Sequence, residues 1–199
     1  MRTPTSGRVL LTAGLLAAVT VLGACDSGGG DDGPEVADLG TVIVSDTPPG
    51  YVPITESFGP FDLDQYIERF SSSEESDRDE LGEVGFERGY ARGWINPEGT
   101  GLVVFVFETE SNGDAEHLME YFIDDAKDSR DGQEFDVEGI DGAEGVTYVE
   151  TSIDGGETVH GVLFVRGKRL YLTASQHSEL ASGRETILQF ARTQAQLAK

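Results

Sequence analysis

"VTYVETSIDGGETVHGVLFVRGKRLYLTAS", residues 146–175, holds three β-type segments separated by two turn signals. Asp154-Gly155 is a two-residue hairpin turn. It would pair Tyr148 with Gly161 and Val146 with Leu163. Gly167-Lys168 is a second turn of that kind, pairing Val165 with Leu170 and Leu163 with Leu172. Side chains alternate across a strand, so the two registers must agree on which residues share a face. They do. Val146, Tyr148, Leu163, Val165, Leu170, Leu172 and Ala174 fall on one face, the core face. His160, Val162, Phe164, Tyr171, Thr173 and Ser175 fall on the other, which is mixed.

Upstream, "GYARGWI" (89–95) and "LVVFVFE" (102–108) read as two more strands joined by the turn-rich "NPEGTG". The second is apolar on both faces, as in a strand covered on both sides. A helix follows, with Ala115, Leu118, Met119, Phe122, Ile123 and Ala126 at helical spacing and Asn112 or Asp114 as its cap. Asp62 with Gln65 caps an earlier helix carrying Leu63, Tyr66, Ile67 and Phe70. Ser182 with Glu185 opens a last one carrying Ile187, Leu188, Phe190, Ala191 and Leu197. "TVIVS" (41–45) reads as a short strand. "SSSEESDRDE" (71–80) reads as a solvated loop or frayed helix end. The expected architecture is α+β: an antiparallel sheet of about five strands with three helices on one or both faces.

The amino terminus has a different character. Residues 1–8 carry Arg2 and Arg8 and no acid, and residues 9–22 form an apolar run. Charge, apolar run and small-residue exit are the parts of a secretory signal. The run is shorter than the ~20 residues a spanning helix needs. The only cysteine, Cys25, stands directly after it. Leu22-Gly23-Ala24-Cys25 resembles the bacterial lipobox. That resemblance implies a diacylglyceryl group on Cys25 and cleavage between Ala24 and Cys25. It also implies a mature protein anchored by lipid at the extracytoplasmic face of the cell membrane. Residues 26–40, "DSGGGDDGPEVADLG", then read as a flexible acidic tether. The expected boundaries are a signal at 1–24, acylated cysteine and tether at 25–40, and one globular domain at 41–199. "GFERGYARGW" (85–94), "VEGIDGAEG" (137–145) and "VLFVRGKRLYL" (162–172) loosely resemble small actinobacterial lipoproteins, some with a PsbP/Mog1-like fold. That family implies no catalytic residues.

Charge and cysteine count narrow the function. The chain has 14 basic and 37 acidic residues, a formal net charge of −23. Residues 1–24 contain two of the arginines and no acid, which leaves −25 on the rest. Such a surface repels nucleic acid and anionic headgroups. A lone cysteine allows no disulfide within the chain and makes a structural zinc site improbable. "KDSRDGQEFDVE" (127–138) spaces Gly132 and Glu138 like a calcium loop, but Lys127 at the first ligand position excludes a normal EF-hand. No cofactor is implied.

The histidines are His117, His160 and His177, and no metalloprotease or nucleophile-elbow motif surrounds them. His160 beside Ser175 is the one nucleophile–base pairing the register offers, and it supports a cell-envelope hydrolase as the alternative function. The leading expectation is a non-enzymatic domain for a small amphipathic ligand or a membrane-protein partner. Its candidate residues are Arg88, Tyr90, Arg92 and Trp94, which alternate onto one face with Phe86. Two arginines beside the only tryptophan suit an anionic or aromatic ligand. The small opposite face, Gly89, Ala91 and Gly93, suits close helix packing.

Overall fold

The computed structural model describes residues 38–71, 74–152, 155–177 and 183–198. Cys25, the signal and the tether to residue 37 lie outside these, as do Asp154 of the first turn and Ser182 of the last capping box. Among the described residues seven strands form one antiparallel sheet: β1 (Val52–Phe61), β2 (Phe86–Ile95), β3 (Gly101–Thr109), β4 (Gln133–Asp136), β5 (Glu144–Ser152), β6 (Gly155–Arg166) and β7 (Arg169–His177). Their order is β1-β2-β3-β7-β6-β5-β4. Four helices accompany them: α1 (Leu63–Phe70), α2 (Glu74–Glu83), α3 (Asn112–Arg130) and α4 (Gly183–Leu197). The class is α+β as the sequence indicates, with two more strands and one more helix than expected.

The sheet is covered on both faces. One core lies under α1, α2 and α3 and includes Phe61, Phe105, Phe107, Phe122, Leu163 and Leu172. The other lies under α4 and the 38–51 segment and includes Trp94, Val104, Phe164, Tyr171, Ile187 and Phe190. The doubly apolar strand β3 sits between them, with Val103, Phe105 and Phe107 facing one core and Leu102, Val104 and Val106 the other. The "mixed" face of β6 and β7 is therefore a second interior: His160, Val162, Phe164, Tyr171, Thr173 and Ser175 are all buried.

The second hairpin has the expected register, Val165 opposite Leu170 and Leu163 opposite Leu172. The first is displaced by two residues: Val146 faces Gly161 and Tyr148 faces Val159. A two-residue slip preserves side-chain parity, so the face assignment survives although the pairing does not.

Several local features differ from the sequence reading. "TVIVS" is not a strand; a 3-10 turn at Leu39–Thr41 precedes an irregular stretch that buries Ile43 and Val44. The strand on that side is β1, with Pro53 and Pro60 in it, tolerable because β1 is an edge. Residues 74–83 are helical, held to the core through Leu81 and, just past its end, Val84. Ser111, not Asn112 or Asp114, caps α3, accepting a hydrogen bond from the Asp114 N–H at 3.2 Å. The Asp62–Gln65 capping box of α1 is formed in both directions, at 2.9 and 3.1 Å. A bulge between Phe86 and Arg88 turns Phe86 onto the opposite face from Tyr90 and Trp94, where it stacks on Phe61. Gly89 and Gly93 accommodate no helix. A Cβ at Gly89 would lie 2.2 Å from the Phe61 ring, and one at Gly93 2.5 Å from the Phe58 ring. Neighbouring aromatics of β1 close over both glycines.

Candidate functional site

Helix α4 has an apolar stripe, Ile187, Phe190 and Ala191, that continues through a polar residue, Gln194. Gln194 is fully buried. Its amide spans to the irregular segment after the 3-10 turn: Oε1 accepts from the Val44 N–H at 2.9 Å, and Nε2 donates to the Val42 carbonyl at 2.8 Å. From the sheet, Arg92 Nη1 donates to the Val44 carbonyl at 2.8 Å. Three hydrogen bonds thus strap residues 42–44 between α4 and β2. Beyond the strap, Pro48 and Pro49 turn the chain back, with the Tyr51 N–H donating to the Pro48 carbonyl at 3.1 Å.

Between the Pro-Pro turn and α4, beside the strap, lies a cleft of about 400 Å³. Val44, Asp46, Pro48, Pro49 and Tyr51 form one wall; Thr186, Gln189, Phe190 and Thr193 of α4 form the other. Leu102 of β3 is the floor. Volume and lining match a small-molecule site, mostly apolar with a few polar groups at fixed positions. Asp46 is the only charged lining residue. Burial first, and then the charge on Glu98, pushes the Tyr51 hydroxyl above its ordinary range, so it remains a neutral donor.

The four residues singled out from the sequence divide between two places. Trp94 is fully buried behind the floor, paired across the ladder with Leu102 and edge-on to Phe190 at 5.4 Å. Arg92 secures the strap while lying 5.5 Å from the Tyr90 ring centroid. Tyr90 supports the chain at Gly40, where a Cβ would come within 3.0 Å of its ring. Arg88 is elsewhere, in an ion cluster around the buried Glu108. That carboxylate also meets Lys168 at 3.1 Å and Arg169 at 2.9 Å. Burial works to raise the Glu108 pKa, but hydrogen bonds from Arg169, Lys168 and Arg88 outweigh it and hold the group ionised below its usual range. The basic tip of the β6–β7 hairpin is thus engaged internally, with Lys168 also on Glu87 at 2.8 Å and Arg166 on the Asp141 carbonyl at 3.1 Å.

Strands β6 and β7 do bring His160 opposite Ser175, but the two do not make a nucleophilic pair. Ser175 is 1% exposed, and its hydroxyl has no hydrogen-bond partner. His160 Nδ1 bonds instead with Thr147 Oγ1 at 2.8 Å. His117 is exposed on α3. Among the described residues no three acidic, histidine or cysteine side chains converge as a metal site, and no helix is long and apolar enough to cross a membrane.

Sequence reading missed two features: the Gln194 strap and a buried polar cluster on the other face. The latter joins Asp77 of α2, Asp125 and Arg130 of α3, and Tyr148 and Glu150 of β5. Each had one available signal, a polar residue at a position where the helical stripe calls for an apolar one. Gln194 continues Ile187–Phe190–Ala191, and Asp125 continues Leu118–Phe122.

No protein-family model matches the chain, and no curated protein does. Two solved structures are similar in fold. One is the extracellular domain of PknH from Mycobacterium tuberculosis, at 10% identity over 81% of this chain and 97% of that one, TM-score 0.49. The other is an uncharacterised protein from Mycobacterium smegmatis, the Rv0999 ortholog, at 9% identity over 76% and 90%, TM-score 0.46.

Proposed function

We propose that the chain is a membrane-anchored lipoprotein, held by lipid on Cys25, whose non-enzymatic domain binds a small amphipathic ligand in the cleft between the 42–51 segment and α4. The observation that carries this is the cleft itself. It has an apolar floor and walls, hydroxyl and amide groups along α4, and a single negative charge at Asp46. That lining favours a ligand with an apolar body and a neutral or cationic head, since an anionic head would meet Asp46 without a counter-charge. The buried Ser175 hydroxyl and the Thr147-bonded His160 favour this reading over a hydrolase built on that pair.

The cleft has a built-in reporter. Trp94 is the only tryptophan, and it touches Phe190 of the cleft wall. Phenylnaphthylamine, a neutral apolar fluorophore, is expected to bind and to quench Trp94 by energy transfer. Thr193 is exposed on the α4 wall, so Thr193→Phe fills the cleft without disturbing the core. It is expected to weaken the probe by about tenfold or more, equivalent to ~1.4 kcal/mol. Equal affinity in the two proteins would reject the cleft as the binding site.

The anchor is tested separately. A Cys25→Ser variant is expected to leave the membrane fraction for the soluble extracytoplasmic fraction, because stable anchoring depends on the acyl chains, at ~0.8 kcal/mol per buried CH₂. A variant that stays in the membrane fraction after normal export would refute lipid attachment there.

A further inference from the structure

Asp46 stands between two fixed points. Before it, Val44 is held by Gln194 and Arg92; after it, Pro48 opens the Pro-Pro turn. Asp46 lines the cleft and is exposed. A second acid adjoins that wall. Val52 is the ladder partner of Ile95, so the β2–β3 turn that follows Ile95 lies next to Tyr51. Asn96 ties that turn. Its carbonyl accepts from the Gly99 N–H at 3.0 Å, and its Oδ1 from the Thr100 N–H at 2.8 Å. The turn carries Glu98, exposed, whose charge acts on the Tyr51 hydroxyl.

The elements that build the cleft bring no counter-charge to these acids. Among the described residues neither Asp46 nor Glu98 enters an ion pair. Residues 42–51 and β3 contain no basic residue. Arg92 of β2 is committed to the Val44 carbonyl. Helix α4 carries Arg184 and Arg192, and both engage the 135–138 stretch on its other flank. Arg184 lies 4.2 Å from the Phe135 ring centroid, and Arg192 Nε donates to the Glu138 carbonyl at 3.1 Å. The flank of α4 that lines the cleft, Thr186, Gln189, Phe190 and Thr193, is neutral. Lys199 lies outside the described residues. The positive end of the α4 dipole, near Thr186, opposes a cation, but it amounts to about half a charge against two carboxylates.

We infer that the cleft selects a cationic amphiphile, an alkyl chain with an ammonium head, and that Asp46 reads the charge with Glu98 in support. The chain lies over Leu102 and against Phe190. The head sits at the Asp46 wall beside Tyr51, whose ring face also attracts a cation. An ammonium there supplies the charge that the protein withholds. An anionic head would meet two carboxylates, and a neutral head would gain nothing from them. This inference rests on the cleft being the ligand site. It goes further by choosing among heads that the apolar lining alone would admit equally.

The test uses the full chain at pH 7.5 and low salt. Octylamine, octanol and octanoate share one chain and differ in head charge, the amine being protonated at this pH as lysine is. Each is titrated against bound phenylnaphthylamine, with recovery of Trp94 emission as the readout. Octylamine is expected to displace the probe at about fivefold lower concentration than octanol, the scale of one exposed ion pair. Octanoate should be weaker than octanol. In Asp46→Asn, octylamine should come within about twofold of octanol as that pair is lost. Added salt should narrow the wild-type preference in the same direction, because exposed charges are screened. Glu83→Gln, exposed on α2 across the sheet, removes an equal charge and should leave the preference intact. Equal displacement by the three compounds, or by none, would overturn charge selection. So would a preference that survives Asp46→Asn in full or falls as much in Glu83→Gln. Each of these outcomes leaves the cleft standing as an apolar site. Phenylnaphthylamine binding equally to wild type and Thr193→Phe would reject the cleft and this inference with it.

Discussion

Arg130→Ala is expected to destabilise the domain by about 3–5 kcal/mol at pH 7.5, the range for removing one partner of a buried charge cluster. Arg130 ends α3 with its side chain 9% exposed. Its guanidinium lies 3.4 Å from Asp125 Oδ2 and 4.8 Å from the Tyr148 ring centroid. Asp125 is itself 9% exposed, and both Glu150 carboxylate oxygens are buried without a hydrogen-bond partner. Burial raises the pKa of Asp125, of Glu150 and of Asp77, and in all three the positive charge of Arg130 opposes it. Burial also pushes the Tyr148 hydroxyl up to about 12. One arginine therefore keeps several carboxyl groups tolerable in an interior.

The pH dependence separates this account from simple loss of packing. A carboxyl group whose folded pKa is raised takes up a proton on folding. Its stability is fully present below the unfolded value near 4 and is lost as pH rises through the folded value. Without Arg130 the folded values rise further. The variant's deficit should therefore be large at pH 7.5 and shrink by pH 4.5. Adding Asp125→Asn should recover part of it. Urea unfolding at the two pH values measures both effects. A deficit below 1 kcal/mol, or one unchanged between the two pH values, would mean that Arg130 does not neutralise this cluster.

The asymmetry between what could and could not be read from the sequence has a physical basis. Alternation along a strand is robust, because a slip by two residues leaves every side chain on its own face; so the β5–β7 core is legible even where the pairing is displaced. The Gly167-Lys168 turn held because Gly167 takes a positive φ of 57°, as a tight two-residue hairpin requires. Strand β1 was hidden because two prolines and Gly59, which does not fit a regular strand signal, are admissible only at an edge, and edge position is a property of the whole sheet. The strap at 42–44 was hidden for a related reason. Its β-branched residues look like a strand, but their backbone partners are the Gln194 and Arg92 side chains, from 48 to 152 residues away. The cleft exists only because that segment is held off the sheet. Arg92 and Trp94 could thus be singled out for their chemistry while their roles, strap and backing, depend on a contact no local pattern encodes.

Phe61→Ala should cost about 3–5 kcal/mol, the range for emptying a buried aromatic site. Phe61 is 2% exposed and meets the rings of Tyr66, Phe70, Phe86, Phe105 and Phe107 with centroids 5.6–6.3 Å apart. It is also the ladder partner of Gly89, whose missing side chain gives the ring its seat. Gly89→Ala would place a methyl inside that ring and within 2.9 Å of the Val106 carbonyl oxygen, an overpacking expected to cost about 1–3 kcal/mol. The two changes should not add. Once Phe61 is gone the methyl no longer meets the ring but still crowds the Val106 carbonyl oxygen, so Gly89→Ala in the Phe61→Ala background should cost less than in the wild type without becoming neutral, with a coupling of about 1 kcal/mol. Gly82, exposed on α2 with nothing within 4 Å of an added Cβ, is the control. There alanine should stabilise by up to ~1 kcal/mol through helix propensity alone. Additive costs at positions 61 and 89 would show that the ring does not lie on the glycine.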